Sequence, residues 1–166
     1  MSKDAFYNLY AQGFARLATA TPKVAVGDPA ANLAETKAMA ARAHEEGAAL
    51  LVCPELGLTG YAIDDLLQQE VVLDAAEAAL ADLIDASSAW TPVVVVGLPL
   101  RVAGRLYNAA AVVHKGVLLG LVPKTYLPNY REFYERRHFS SGASVPTDVA
   151  VAAGREAPFG TDLIFE

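Results

Sequence analysis

A mixed α/β fold is predicted by three observations on the 166-residue chain. Short continuous apolar runs alternate with long helix-patterned stretches through the first half, which is the order of a layered α/β protein. Three strand-like runs then follow one another with only turns between them, so the sheet cannot be all parallel. Two of the apolar runs end in proline followed by a charge, Pro54-Glu55 and Pro123-Lys124, and open α/β sheets gather ligands beyond their strand ends.

Residues Ser2 to Gln12 read as a short helix or arm broken by Gly13, and Phe14 to Ala20 as a first strand. Asp28-Pro29 is a helix start, because Asp accepts from the orphan N–H groups and Pro fits the first helical position. The Ala-rich stretch through Glu46 is then helix, stopped by Gly47. Ala48 to Cys53 has the pattern of a strand buried on both faces. A glycine-containing loop, Gly57 to Tyr61, leads into one helix from about Asp64 to Ala89, with Leu66, Leu67, Val71, Leu73, Leu80, Leu83 and Ile84 as its apolar positions. Val93 to Leu98 is a β-branched strand, and Arg101 to Arg105 a turn around Gly104. Tyr107 to His114 and Val117 to Val122 form two strands joined at Lys115-Gly116, a hairpin signal. Ser140 to Gly160 reads as loop, and Thr161 to Phe165 as a last strand with no helix to cover it, so an incomplete domain with an aggregation-prone exposed edge is expected.

Hydrophobic content of 54% against 19% charged residues marks a globular chain with a substantial core. A net charge of −6 provides no basic field to release counterions, which argues against nucleic acid and anionic membrane as partners. No apolar run approaches the roughly 20 residues of a membrane span. The acidic start of the chain is unlike a signal peptide, and the single cysteine suits a reducing compartment, so a cytoplasmic location is expected.

The segment from Leu121 to Phe139 packs Tyr126, Tyr130, Phe133, Tyr134, His138 and Phe139 among charges, a composition that suits a cleft better than a core. Glu55 and Lys124 are expected to meet there. A carboxylate beside an ammonium keeps both charged; such a pair abstracts a proton and steadies an oxyanion, and spacing alone leaves a structural ion pair equally open. Cys53 lies inside an apolar run, where burial makes a thiol inert, and reads as a core residue. His44, His114 and His138 share no metal-ligand spacing with a cysteine or carboxylate, and no glycine-rich nucleotide loop occurs. Arg131, Arg136 and Arg137 fit a carboxylate grip or a solvated surface equally.

Cys53-Pro-Glu55-Leu-Gly-Leu-Thr-Gly-Tyr61 and Pro123-Lys124-Thr-Tyr-Leu-Pro-Asn-Tyr130-Arg-Glu-Phe133-Tyr-Glu135-Arg-Arg-His-Phe139 resemble the first two signature blocks of the nitrilase (carbon–nitrogen hydrolase) superfamily. The expanded second block, the Gln12-Gly-Phe-Ala-Arg16 start and Gly160-Thr-Asp-Leu-Ile-Phe165 resemble in particular the N-terminal glutaminase domains of bacterial glutamine-dependent NAD synthetases. The resemblance implies the N-terminal part of an α-β-β-α sandwich, residues 1–166, with helices on one face of a mixed sheet, and a Glu–Lys–Cys triad. Glu55 matches the general base, Lys124 the lysine that steadies the tetrahedral intermediate, and Glu135 a second glutamate supporting that lysine. Tyr130, Phe133 and Tyr61 fall where the family shapes its glutamine pocket. The nucleophilic cysteine has no counterpart here and is expected shortly beyond Glu166, so the chain alone is expected to be inactive. The resemblance further implies L-glutamine as substrate, homo-oligomers, and no metal or cofactor in this part. A synthetase domain of the same polypeptide would use ATP and magnesium to amidate nicotinic acid adenine dinucleotide. A stand-alone amidase acting on another amide, or a non-catalytic interaction module, remains open.

Overall fold

The computed structural model describes residues 7–166, so the predicted arm lies partly outside it. Within the described part, Tyr10–Gln12 forms one 3-10 turn closed by Gly13. Five strands follow in one sheet, β1 (Leu17–Thr19), β2 (Leu50–Val52), β3 (Val93–Val102), β4 (Arg105–His114) and β5 (Val117–Pro123), adjacent in that order. β1, β2 and β3 are parallel, and β4 runs antiparallel to both β3 and β5. Hence β2, β3 and β5 point the same way and their carboxyl ends share one edge of the sheet.

Helix α1 (Pro29–Glu45) connects β1 to β2 and begins as its sequence requires. Asp28 caps it, accepting from the Ala31 N–H at 3.0 Å, and Pro29 occupies the first turn. Helix α2 (Glu70–Ser87) connects β2 to β3 and buries Leu80, Leu83 and Ile84 completely in the core it shares with the sheet. Each of the three side chains contributes about 1.5–3 kcal/mol by leaving water. The facing positions on β3 are Val94, Val96, Leu98 and Leu100, all at 0% exposure, while Gly97 and Pro99 on the other face are buried as well.

The single helix expected over 64–89 is two elements. Asp64–Gln68 is a 3-10 turn, Gln69 adopts an extended conformation, and only then does α2 begin. The apolar periodicity ran through the break because Leu67 and Val72 both face inward, although in different elements. The strand around Leu51 is shorter than predicted and not buried on both faces. Leu51 is 2% exposed on the helix side, but Val52 on the other side is 38% exposed, since both helices cover the same face.

The turn predicted over Arg101–Arg105 contracts to Ala103-Gly104, with both strands extending to meet it. Lys115-Gly116 joins β4 to β5 as predicted. Both residues of each pair have positive φ (48° and 75°; 49° and 81°), the twist that suits a two-residue hairpin. The segment expected to be loop carries a third such turn, Ala153-Gly154, joining β6 (Val149–Ala152) to β7 (Arg155–Pro158). This hairpin is fastened to α2: Arg155 pairs with Asp85, and the Ala153 N–H donates to Glu77 at 3.2 Å. Thr161–Phe165 forms no strand. A single bridge between Leu121 and Phe159 carries the chain onto β5, and the edge expected after Phe165 does not arise.

Short helix α3 (Glu135–His138) closes the aromatic segment beyond β5. Among the described residues no helix is long and apolar enough to cross a membrane.

Candidate active site

Glu55 follows β2 and Lys124 follows β5, so both leave the sheet at its shared carboxyl edge. Two strands lie between them. At about 4.8 Å per strand the gap is some 14 Å, too wide for a lysine to span from a fixed carboxylate on β2. The turn Pro54–Gly57 solves this by lying across β3 at Gly97. A Cβ built at Gly97 would come within 2.4 Å of the Leu56 nitrogen and 2.7 Å of the Pro54 carbonyl oxygen, so only glycine lets the turn pass. Leu56 itself has φ 50°, the left-handed region that a leucine rarely adopts, and is 1% exposed. Strain of this kind persists where the surroundings over-determine it. Here they do: the Leu56 carbonyl accepts from Gly60 N–H at 2.7 Å, and Asn32 of α1 donates to Leu58 O at 3.1 Å and holds Ala25 by both its amide groups.

Delivered this way, Glu55 meets Lys124. The ammonium donates to Glu55 Oε1 at 2.7 Å and to Glu135 Oε1 at 2.8 Å. Glu135 is 4% exposed, held by α3, and its Oε1 also accepts from the Tyr61 hydroxyl at 2.8 Å. Burial alone would draw the Lys124 ammonium down; the hydrogen bonds to Glu135 and Glu55, with the charge of both, outweigh it and raise it above the ordinary lysine value. Burial first, and then the bond to Glu135, pushes the Tyr61 phenol well up, although the residue as a whole is 40% exposed. Tyr61 therefore stays protonated and remains a donor to Glu135.

The aromatic candidates extend outward from this cluster. Phe133 meets Tyr61 edge-on with ring centroids 6.4 Å apart, and Tyr130, 64% exposed, meets Phe133 at 5.8 Å. Glu55 and Lys124 line a trough of about 390 Å³ on the uncovered face of the sheet, with Val52, Gly97, Asn108 and Val122. Glu135, Tyr61 and Phe133 line a separate cavity of about 310 Å³ with Leu67 and Phe139. The Lys124–Glu135 pair is thus the partition between two concavities.

Cys53 is 9% exposed in the main core cluster, and burial pushes its thiol up to about 11, so it is not an activated nucleophile. Arg137 is engaged by Asp65, donating at 3.0 and 3.1 Å to its two oxygens. His44 and His114 both bond to Thr91, and among the described residues no cluster of His, Cys, Asp or Glu has metal-site geometry. One participant escaped the sequence reading. Asn108, 4% exposed in the middle of β4, donates to Glu55 Oε1. A lone carboxamide inside an otherwise apolar strand was the available signal.

A family model described as Carbon-nitrogen hydrolase matches residues 15–164. Glutamine-dependent NAD(+) synthetase from Mycobacterium tuberculosis is 51% identical over 160 residues, which is 96% of this chain and 23% of that protein; the homologous enzyme from Mycobacterium leprae is 46% identical over the same span. The chain thus spans about a quarter of the length of the curated relatives it matches. Among solved structures, a glutamine-dependent NAD(+) synthetase from Cytophaga hutchinsonii superposes with a TM-score of 0.83 at 26% identity, covering 92% of this chain and 26% of that one. An amidase from Nesterenkonia sp. superposes with a TM-score of 0.65 at 27% identity, covering 86% and 53%.

Proposed function

This chain belongs to the carbon–nitrogen hydrolase family, and from that membership and the Lys124 bridge we propose that it is part of a glutamine-hydrolysing domain supplying ammonia for NAD synthesis. The single observation that carries the reading is one ammonium held at 2.7 and 2.8 Å between the carboxylates of Glu55 and Glu135. In this proposal a thiol from outside the chain attacks the glutamine carboxamide, and Glu55 takes the thiol proton. Carbon–sulfur bond formation places negative charge on the former carbonyl oxygen. Lys124 has three N–H groups and spends two on the glutamates, so the third is available to that oxyanion. As the C–N bond breaks, Glu55 returns its proton to the leaving nitrogen and ammonia departs. Water then cleaves the thioester, losing a proton to Glu55, and glutamate and the thiol are regenerated.

Glu135 acts on Lys124 rather than on substrate: it is buried, and its Oε1 accepts from both Lys124 and Tyr61. Phe133 and Tyr130 offer a ring-lined approach to the cluster. The ammonia would be used by a synthetase domain of the same polypeptide, with ATP and magnesium, to amidate nicotinic acid adenine dinucleotide; the relatives' names support that destination. We further propose a cytoplasmic, homo-oligomeric protein. The similarity to the Nesterenkonia amidase supports a second reading, hydrolysis of another amide by the same groups.

The test uses the full-length polypeptide. Glu55→Gln is expected to abolish NAD formation with glutamine as nitrogen donor and to leave formation with ammonium salts intact. Retained glutamine use would sink the proposal, and hydrolysis of simple amides in preference to glutamine would favour the second reading.

A further inference from the structure

Asn108 is bonded to both members of the Glu55–Lys124 pair, through two different groups. Its side-chain amide donates to Glu55 Oε1, and its backbone carbonyl accepts from the Lys124 N–H at 2.8 Å. The register places it to do so: Ala109 is paired with Pro123, so the next step of the β4–β5 ladder sets Asn108 against Lys124. Opposite Asn108 on β3 stands Pro99, whose missing N–H costs nothing, because the Asn108 carbonyl is turned toward β5. A buried carboxamide needs partners, and at 4% exposure Asn108 finds one in the carboxylate.

We propose that Asn108 is a positioning residue for the base: it fixes the rotation of the Glu55 carboxylate, so that Oε1 is occupied by two donors and Oε2 is the oxygen left to take a proton. The inference rests on the general-base reading of Glu55. Among the described residues no hydrogen bond reaches Glu55 Oε2, and the residue lines the open trough. An ammonium donates in any direction from a flexible stem, so a carboxylate held by Lys124 alone can pivot about that one contact. A second donor on the same oxygen removes the pivot. Its neutrality matters too, since a second cation would favour the ionised carboxylate more strongly and blunt it as a base.

Two measurements test this. In the full-length polypeptide, the Asn108 side-chain amide is followed by nitrogen-edited NMR. Its bonded proton is expected downfield and slow to exchange, and Glu55→Ala should return it to the range of free amides. An amide that ignores Glu55→Ala overturns the proposal. In the full-length polypeptide, Asn108→Ala is expected to lower kcat for glutamine by about 10- to 100-fold with KM changed less than about twofold. Asn108→Asp, nearly isosteric, should lose more, and its activity relative to wild type should rise as the pH is lowered, because a protonated Asp regains a donor and sheds a like charge. A rise in KM with kcat intact, or an Asn108→Asp ratio that is flat with pH, also overturns it. Should wild type release no ammonia from glutamine while the amide still answers to Glu55→Ala, the glutaminase reading fails and the positioning contact stands.

Discussion

Lys124 illustrates how a single ammonium can be worth more than an ordinary surface ion pair. Exposed pairs contribute about 0–1 kcal/mol, but Lys124 serves two carboxylates at once, one of them 4% exposed. In the full-length polypeptide, Lys124→Met should cut glutamine hydrolysis by about 10²–10³-fold, the scale of losing one oxyanion donor; a coupled ammonia assay measures it. Cys53 makes the opposite case. Its thiol stands at about 11 against an ordinary 9.0. Because the folded value is raised, the stability linked to the neutral thiol is intact below pH 9 and is lost as pH climbs through about 11. At pH 8 the same shift makes alkylation of the native protein about 100-fold slower than alkylation in urea. Equal rates, followed by mass spectrometry, would show that Cys53 is not seated as described. Sequence alone identified Cys53 as core, and proposed the meeting of Glu55 with Lys124, from the same feature: an apolar strand ending in proline. It was silent about Asn108, because a polar residue within a strand declares its burial only once its neighbours in the sheet are known. Glu135 entered only through family resemblance, since a glutamate among arginines looks solvated until α3 turns it inward.

At the scale of elements, local chemistry was legible where one residue's conformation decides the outcome. Asp28-Pro29 starts α1 as read, and Asp28→Ala should cost about 1 kcal/mol in urea denaturation, the usual worth of an N-cap. Asn32, one turn further on, is 2% exposed and bonded to Ala25 and Leu58. Asn32→Leu should be more harmful, about 2–3 kcal/mol, because it leaves buried backbone groups unsatisfied. It should also raise amide exchange in 54–61 while sparing β3 to β5, which distinguishes a loosened loop from general instability. The misses have physical reasons as well. Gln69 breaks the helix without glycine or proline, since the preceding 3-10 turn is set by packing of Leu67, not by propensity. The β6–β7 hairpin hid within an Ala-, Ser- and Gly-rich stretch because each strand is only four residues long and β7, Arg-Glu-Ala-Pro, is made largely of residues depleted in strands. Ala153-Gly154 between two alternating runs was the clue available.

For the molecule as a whole, the two faces of the sheet differ. One is sealed by α1 and α2; the other leaves Val52 38% exposed beside the trough, with Leu17 66% exposed on the edge strand β1. At high concentration the isolated chain should bind hydrophobic dyes and elute above its 17.5 kDa mass; a dye-silent monomer would contradict that. The same chain should release no ammonia from glutamine beyond a Glu55→Ala control, its one cysteine being Cys53. The bonds that define the charged cluster also join distant parts of the chain: Asn108 and Glu55 are 53 residues apart, Lys124 and Glu55 69, Tyr61 and Glu135 74. Closing such loops is entropically costly, so these contacts are expected to form after the β3–β4–β5 meander has paired. The cluster is therefore a latch set at the end of folding. Substituting Lys124 should leave the refolding rate almost untouched and quicken unfolding, placing the charged groups on the native side of the folding barrier.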